Sequence, residues 1–330
     1  MYIKILVGGL CSLIVSLLIA PPIIKLLKRF KAGQVILEYV EQHKSKGGTP
    51  TMGGFIFIIP TIIFTLAFGY SESTLVVVLT TLGYMLLGFL DDYIKIKYHH
   101  NEGLKPYQKI IGQGGIAIIV SLYCYNNPEI SSSIILPFTN GKTVDLGLFY
   151  PFLVFFAFVA TSNAVNLVDG LDGLAGSVGC TYFIFYTIIS IVLLNEYATS
   201  GDVMMQNQVF GQALFAFTFA CSLLGYLCYN HYPASVMMGD TGSLAMGGAV
   251  CTVAVFTKTP LLILLVGIMF VVTCISIIMQ VVHYKRTKKR IFLMSPLHHH
   301  FEKKGYGEGK IGICYVAVTV IGGLLSLISM

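Results

Sequence analysis

The chain has 330 residues, 55% of them hydrophobic and 11% charged, with a formal net charge of +6 and a mean hydropathy of +0.80. A soluble domain carries about 25% charged residues, so this composition excludes a soluble globular enzyme. It predicts one all-α integral membrane body, 1–330, facing a lipid bilayer and no nucleic-acid partner.

Ten apolar runs are candidate spans, starting near Ile5, Met52, Thr74, Ile110, Phe149, Leu174, Val209, Gly242, Pro260 and Ile311. Most approach the roughly 20 residues that cross a bilayer. The first, 5–27, is long enough to span and lacks a small-residue cleavage site, so it reads as a retained helix. The eighth, 242–257, has only sixteen residues, which predicts a lipid-shielded position or a ragged end. After the fourth span, β-type runs flank Asn140-Gly141, a strong hairpin signal. A short β-hairpin is therefore expected near 131–148. The eight cysteines form no Cys-x-x-Cys pair and read as small buried hydrophobes.

Basic residues orient the spans. With the N-terminus outside, the inner connections, about 28–51, 91–109, 163–173, 230–241 and 283–310, and the helix ends leading into them hold eighteen of the 21 lysines and arginines and all eight histidines. The positive-inside rule then places both termini outside and these loops at the cytoplasmic face. Ten of the 15 carboxylates share that face, which stays net positive and favours anionic lipid heads and anionic substrates.

The candidate chemistry lies in those inner segments. Asn163-Ala-Val-Asn-Leu-Val-Asp-Gly-Leu-Asp-Gly sets Asn163, Asn166, Asp169 and Asp172 at a spacing of three, one polar stripe on a helix. Gly170 and Gly173 free the backbone at its end. An Asp at a bilayer centre costs roughly 2.5 to 3.5 kcal/mol, which favours function over an ordinary helix stop. The third span ends in Asp91-Asp92, and adjacent carboxylates repel by about 4 kcal/mol at 4 Å with an effective dielectric of 20. A divalent metal or a raised pKa relieves that repulsion, against the bland alternative of helix-end solvation. Paired carboxylates can hold Mg²⁺ against phosphates, or one can act as a base.

Three further segments share that side. Met238-Gly-Asp240-Thr-Gly-Ser places one Asp between glycines, where it can reach a cation; a plain turn is the competing reading. The segment from His43 to Gly54 is basic and Gly-rich without being a P-loop. Its amides and lysines suit phosphate, with a solvated positive-inside loop as the equal alternative. In the last connection, Lys285-Arg-Thr-Lys-Lys-Arg290 reads as a lipid-facing polybasic patch. The consecutive His298, His299 and His300 cannot share one helix face, so tetrahedral zinc fits poorly. Neutral donors near a phosphate or sugar fit better.

Taken together, Thr49-Pro-Thr-Met-Gly-Gly, Asp91-Asp92, the stretch from Asn163, Met238-Gly-Asp-Thr-Gly-Ser and Pro296-Leu-His-His-His-Phe-Glu resemble the phospho-N-acetylmuramoyl-pentapeptide transferase family. That family lies within the polyprenyl-phosphate N-acetylhexosamine-1-phosphate transferase superfamily, and the resemblance runs along the whole chain in order. The triple-His segment discriminates, since relatives that transfer simple N-acetylhexosamine phosphates resemble a His-x-x-x-Arg pattern where this chain has Glu302 four residues after His298.

The resemblance implies Mg²⁺-dependent transfer of phospho-MurNAc-pentapeptide from UDP-MurNAc-pentapeptide to undecaprenyl phosphate, releasing UMP, at the inner membrane of a bacterial cell. Carried over by position, Asp91 and Asp92 resemble the catalytic pair and Asp240 the metal-binding Asp. Asp91, Asp92 and Asn166 are further candidate ligands. Asn163, Asn166, Asp169, Gly170, Leu171, Asp172 and Asn230 resemble the nucleotide and metal pocket. Lys46, with Lys44 as its alternative, and Thr49 resemble groups near the pyrophosphate or uridine, and His298, His299 and His300 an essential loop. Where family members often carry an aromatic that stacks on uracil, this chain has Met237, which leaves Tyr229 or another ring as the substitute. A homodimer is a candidate assembly. Direct displacement, with Asp91 deprotonating or orienting the lipid phosphate, is favoured over a covalent step on Asp91 or Asp92. The competing functions are transfer from a UDP-N-acetylhexosamine and, from another class, a cation-coupled transporter. The transporter fits poorly, because the acidic and His clusters lie at segment ends and no related halves are visible.

Overall fold

The computed structural model describes residues 1–30, 48–98 and 102–330. In hydrocarbon a backbone must satisfy its own hydrogen bonds, which helices do segment by segment. The apolar runs accordingly form α1 (Tyr2–Arg29), α2 (Phe55–Gly69), α3 (Glu72–Tyr98), α4 (Pro106–Asn126), α5 (Tyr150–Val168), α6 (Leu174–Ser200), α7 (Val203–Asn230), α8 (Gly239–Phe256), α9 (Ile263–Val266), α10 (Ile268–Thr287), α11 (Leu297–Lys303) and α12 (Glu308–Ile328). Among the described residues, eight of these are long and apolar enough to cross a membrane: α1, α3, α5, α6, α7, α8, α10 and α12. The shorter apolar α2, of 15 residues, and the more polar α4, of 21, bring the membrane-scale segments to the ten expected.

The ninth span differs from the expected single run. Pro260–Leu262 forms a 3-10 turn, α9 makes one helical turn, and Gly267 interrupts before α10 begins. Proline opens this segment where its missing N–H does no harm, and glycine, the weakest helix former after proline, marks the break.

The short eighth span is shielded from lipid, as its length suggested. Every residue from Thr241 to Phe256 is buried, with α3 and α5 as the chief neighbours of α8. A helix walled by protein need not match bilayer thickness. On the other side of the bundle, α7 is packed by α6, α1 and α2. Phe219 stacks on Phe183 with ring centroids 4.2 Å apart and lies 5.5 Å from Phe57. Small polar groups tie α1 to α7 through its backbone: the Ser12 hydroxyl donates to the Thr218 carbonyl at 2.9 Å and the Ser16 hydroxyl to Ser222 at 2.8 Å. Such residues let membrane helices approach closely.

Two strands, β1 (Ser133–Ile135) and β2 (Thr143–Asp145), pair antiparallel with Ile134 opposite Val144. Both Asn140 and Gly141 in the connecting loop have positive φ, 55° and 75°. The hairpin docks on its own end of the bundle, where Ile135 N–H donates to Lys258 and Phe138 N–H to Ser329, each at 2.7 Å. Helix alternation gathers the ends of α3, α5, α7 and α10 and the starts of α4, α6, α8 and α12 at the opposite end, which carries the polar motifs.

Candidate active site

At the end of α3, Asp91 is almost fully buried and meets two ammonium groups. Lys95, one helical turn further on, lies 2.6 Å from its Oδ2, and Lys109 on α4 lies 3.3 Å from its Oδ1. Asp91 Oδ1 also accepts the Leu104 N–H at 2.9 Å. The same two lysines reach Asp240 Oδ2, at 3.0 Å and 2.7 Å. Asp91 and Asp240 are thus bridged by two cations, which offset the repulsion that two enclosed carboxylates would otherwise feel. The sequence reading had counted Lys95 and Lys109 only as inner-face charge. The i,i+4 spacing of Asp91 and Lys95 was the available signal. Lys109 is aimed by the start of α4, where Pro106 occupies the first turn and Gln108 Oε1 accepts the Lys105 N–H at 2.9 Å.

Asp92 faces elsewhere. Its Oδ1 accepts the Asp240 N–H at 3.2 Å, and its Oδ2 accepts the Thr241 N–H at 2.9 Å and the Thr241 hydroxyl at 2.7 Å. The first amides of a helix have no partner within it and carry the positive end of its dipole. Asp92 therefore caps α8 from another helix and holds the backbone that presents Asp240. Gly88, one turn earlier on α3, permits the approach, because a Cβ there would lie 2.0 Å from the Asp240 carbonyl oxygen.

Of the basic, Gly-rich segment from His43 to Gly54, the described residues begin at Gly48, and its last glycines are engaged. Gly53 N–H donates to Met237 O at 2.9 Å, Gly54 N–H to Met238 O at 3.2 Å, and Met237 N–H to Pro50 O at 2.8 Å. These amides fasten the approach to α8. Thr49 is half-buried beside them, whereas Lys44 and Lys46 lie outside the described residues. Met237 is buried, and the Tyr229 hydroxyl donates to the Leu17 carbonyl at 3.2 Å.

The polar stripe is helical only in its first half, because α5 stops at Val168 and Gly173 turns the chain with a φ of 70°. Its four members consequently point to different neighbours. Asn163 makes an amide pair with Gln113 on α4, its Nδ2 donating to Gln113 Oε1 at 2.7 Å. Asn166 Nδ2 donates to Asp240 Oδ1 at 2.6 Å and to the Ser243 hydroxyl at 2.8 Å. Burial pushes the Asp169 carboxyl up to about 8, with the negative charges of Asp240, Asp92 and Asp172 adding and the Gly239 N–H opposing. Asp172 Oδ2 accepts the Ala234 N–H at 3.0 Å, and its own N–H donates to Glu308 Oε2 at 3.0 Å. Leu171 is buried, and Asn230, also buried, donates from Nδ2 to Val236 O at 2.8 Å. Of the expected pocket, Asn166 and Asp169 stand at the carboxylates, while Asn163, Asp172 and Asn230 hold neighbouring segments in place.

The three histidines diverge as their spacing requires. His298 is buried against Gly170, its Nε2 occupying the space that a Cβ there would need. His299 Nδ1 lies 2.8 Å from Glu302 Oε2. His300 Nδ1 accepts the Leu293 N–H at 3.1 Å, and desolvation and the nearby Lys304 charge hold its pKa below the usual histidine value.

One carboxylate oxygen each from Asp91, Asp92 and Asp240 lie within 4.8 Å of one another. All-oxygen donors suit Mg²⁺, and two lysines already bridge Asp91 and Asp240, so the spot favours positive charge. The residues fit a divalent cation.

Two outcomes follow from this geometry. Asp92→Ala leaves three donors at the start of α8 without their acceptor, at about 1–3 kcal/mol each when buried, so it lowers the melting temperature more than Asp91→Ala does; equal losses would contradict the capping role. For Asp169 the folded-state value of about 8 exceeds the unfolded value of about 3.9. Its contribution to stability is therefore full below about pH 4 and is lost as pH rises towards 8. Thermal melts of metal-free protein across that window show this fall, and Asp169→Asn makes it shallower.

A family model described as Glycosyl transferase family 4 matches residues 74–258, the stretch that holds Asp91, Asp92, Asp240 and both lysines. The chain is 46% identical to the phospho-N-acetylmuramoyl-pentapeptide-transferase of Clostridium novyi (strain NT) over 328 residues, covering 97% of this chain and 96% of the relative. It is 41% identical to that of Thermoanaerobacter sp. (strain X514) over 330 residues, with 99% of each covered. A third relative of that name, from Clostridium perfringens (strain 13 / Type A), is 42% identical over 334 residues, again with 99% of each covered. Identity at this level over whole chains, together with the bridged carboxylates, places this chain in the phospho-N-acetylmuramoyl-pentapeptide-transferase family, within glycosyl transferase family 4.

Proposed function

We propose that the chain transfers phospho-MurNAc-pentapeptide from UDP-MurNAc-pentapeptide to undecaprenyl phosphate, forming undecaprenyl-pyrophosphoryl-MurNAc-pentapeptide and UMP, the first membrane step of peptidoglycan synthesis. The observation that carries this reading is the pair of lysines bridging Asp91 and Asp240 at one end of a membrane bundle. Both reactants bring phosphate there, and phosphoryl transfer depends mainly on positioning and charge stabilisation.

An oxygen of the acceptor phosphate attacks the β-phosphorus of the UDP-sugar, the bond from that phosphorus to the bridging oxygen breaks, and UMP leaves. Asp91 takes or holds the acceptor's proton and orients its phosphate. Lys95 and Lys109 offset charge on the diphosphate and on the departing UMP. Asp92 and Asn166 act through Asp240, the first by capping α8 and the second by binding Oδ1. Mg²⁺ would be held by Asp240 with Asp91, Asp92 and Asn166 as the other candidate ligands, and when bound it neutralises diphosphate charge. Asp169, Gly170, Leu171, Asp172, Asn163 and Asn230 shape the nucleotide pocket, Thr49 and Lys46 or Lys44 meet the pyrophosphate or uridine, and the loop of His298, His299 and His300 borders the sugar or phosphate, with His298, packed on Gly170, nearest the pocket. The site lies at the cytoplasmic face with both termini outside.

Purified protein in detergent releases UMP with undecaprenyl phosphate, Mg²⁺ and UDP-MurNAc-pentapeptide, and stops when the cation is chelated. Release with UDP-GlcNAc instead would discard the sugar assignment. Asp91→Asn lowers turnover by about 10³-fold, within the range for loss of a general base, while nucleotide binding by calorimetry is kept; full activity in this variant would remove Asp91 from the reaction. A reporter that is active only outside the cytoplasm, fused to the C-terminus, is active if the orientation is right.

A further inference from the structure

The end of α10 and the connection that follows it enclose a cavity of about 650 Å³ on elements that supply nothing to the Asp91–Asp240 cluster. Its lining includes Tyr284, Lys285, Arg290, Met294, Ser295 and Lys303 and contains no carboxylate. Among the described residues none of these three cations enters an ion pair. Three like charges around one cavity repel unless an anion joins them. The apolar part of the lining, with Val281, Leu293 and Met294, continues into the outward face of α10. There Ile275, Ile278, Met279 and Val282 are all exposed on a helix apolar enough to span a membrane. An anion that suits both parts carries hydrocarbon with it.

We propose that this cavity is a headgroup site for an anionic glycerophospholipid of the surrounding bilayer, with the phosphodiester among Lys285, Arg290 and Lys303 and the acyl chains along α10. A basic surface patch attracts such lipids in general; here three basic groups surround a cavity with an apolar exit, which defines a place for one lipid.

The wall of this cavity leads to the histidines. Gln280 on α10 accepts the N–H groups of Ile291 and Phe292 at Oε1, each at 3.0 Å, and its Nε2 donates to Phe292 O at 3.2 Å. Leu293 N–H donates to His300 Nδ1, and Leu297 N–H to the Ser276 hydroxyl at 3.1 Å. A headgroup that draws Lys285, Arg290 and Lys303 together therefore steadies the strap that sets α11 against α10. This role does not depend on which reaction the chain performs.

The test uses the full chain in nanodiscs of phosphatidylcholine with and without phosphatidylglycerol, in the absence of substrates. Amide hydrogen exchange of residues 290–303 slows on the order of tenfold with phosphatidylglycerol, as expected for a few basic groups near an anionic lipid. Lys285→Gln/Arg290→Gln/Lys303→Gln abolishes that difference, each single change reduces it in part, and exchange in phosphatidylcholine alone stays as in the parent. Arg286→Gln/Lys289→Gln/Lys310→Gln removes the same charge outside the lining and keeps the difference. Four results would overturn the proposal: no dependence on phosphatidylglycerol, equal loss in the second triple variant, the same protection from inorganic phosphate at matched ionic strength, or displacement of phosphatidylglycerol by a prenyl phosphate. The last would make the cavity part of the acceptor site.

Discussion

The first turn of α8 presents unpartnered amides to the end of α3, and one side chain, Asp92, accepts three hydrogen bonds there. Most of the site's geometry depends on that contact. Asp240 belongs to the same turn, so fixing the amides fixes the carboxylate. Asp91, adjacent in sequence, points to the lysines instead. The two neighbouring acids thus divide the available positive charge, one taking helix amides and the other ammonium groups. Those contacts offset their mutual repulsion.

A turn held this firmly needs a helix that does not move with the lipid. α8 is buried along its length, chiefly by α3 and α5, and the segment from Pro50 to Gly54 fastens Met237 and Met238, just before it, through backbone hydrogen bonds. Asn166 on α5 and Asp92 on α3 then grip Asp240 from two directions. Asp240 sits on the most enclosed of the described spans, with Asp91 and Asp92 on α3 packed against it, while Lys95 on α3 and Lys109 on α4 retain partial exposure.

Much of this was legible in the sequence, for reasons that can be named. Hydropathy alone marks ten spans because hydrocarbon penalises every unsatisfied polar group, and sixteen residues between Gly242 and Thr257 already implied shelter for α8. Asn140-Gly141 marked the hairpin because few other residues tolerate positive φ at both positions. Less was visible where direction matters more than spacing. A spacing of three from Asn163 to Asp172 suggested one stripe, but a stripe needs a continuous helix, and the chain leaves α5 after Val168. That Asp92 caps α8 while Asp91 meets the lysines was not visible from two adjacent aspartates. Lys109 belongs to the cluster only because α4 returns alongside α3, a tertiary fact that local pattern does not encode. Gly53 and Gly54 did not reveal from sequence that their amides are engaged by Met237 and Met238, since free and engaged amides have the same sequence.

The lysine bridge also governs how the site fills. Three carboxylates, Asp91, Asp92 and Asp240, stand against two ammonium groups, Lys95 and Lys109, so the cluster is one charge short of neutral. On the proposed reading, a bare nucleoside diphosphate would meet a like-charged surface whose cations are already engaged, and the same nucleotide accompanied by a divalent ion would not. Occupancy would then be an exchange of counterions more than a net gain of contacts, with each lysine leaving a carboxylate for a phosphate. Grip and release would draw on the same two side chains, and the pairing seen here leaves neither stranded ammonium groups nor three unopposed carboxylates.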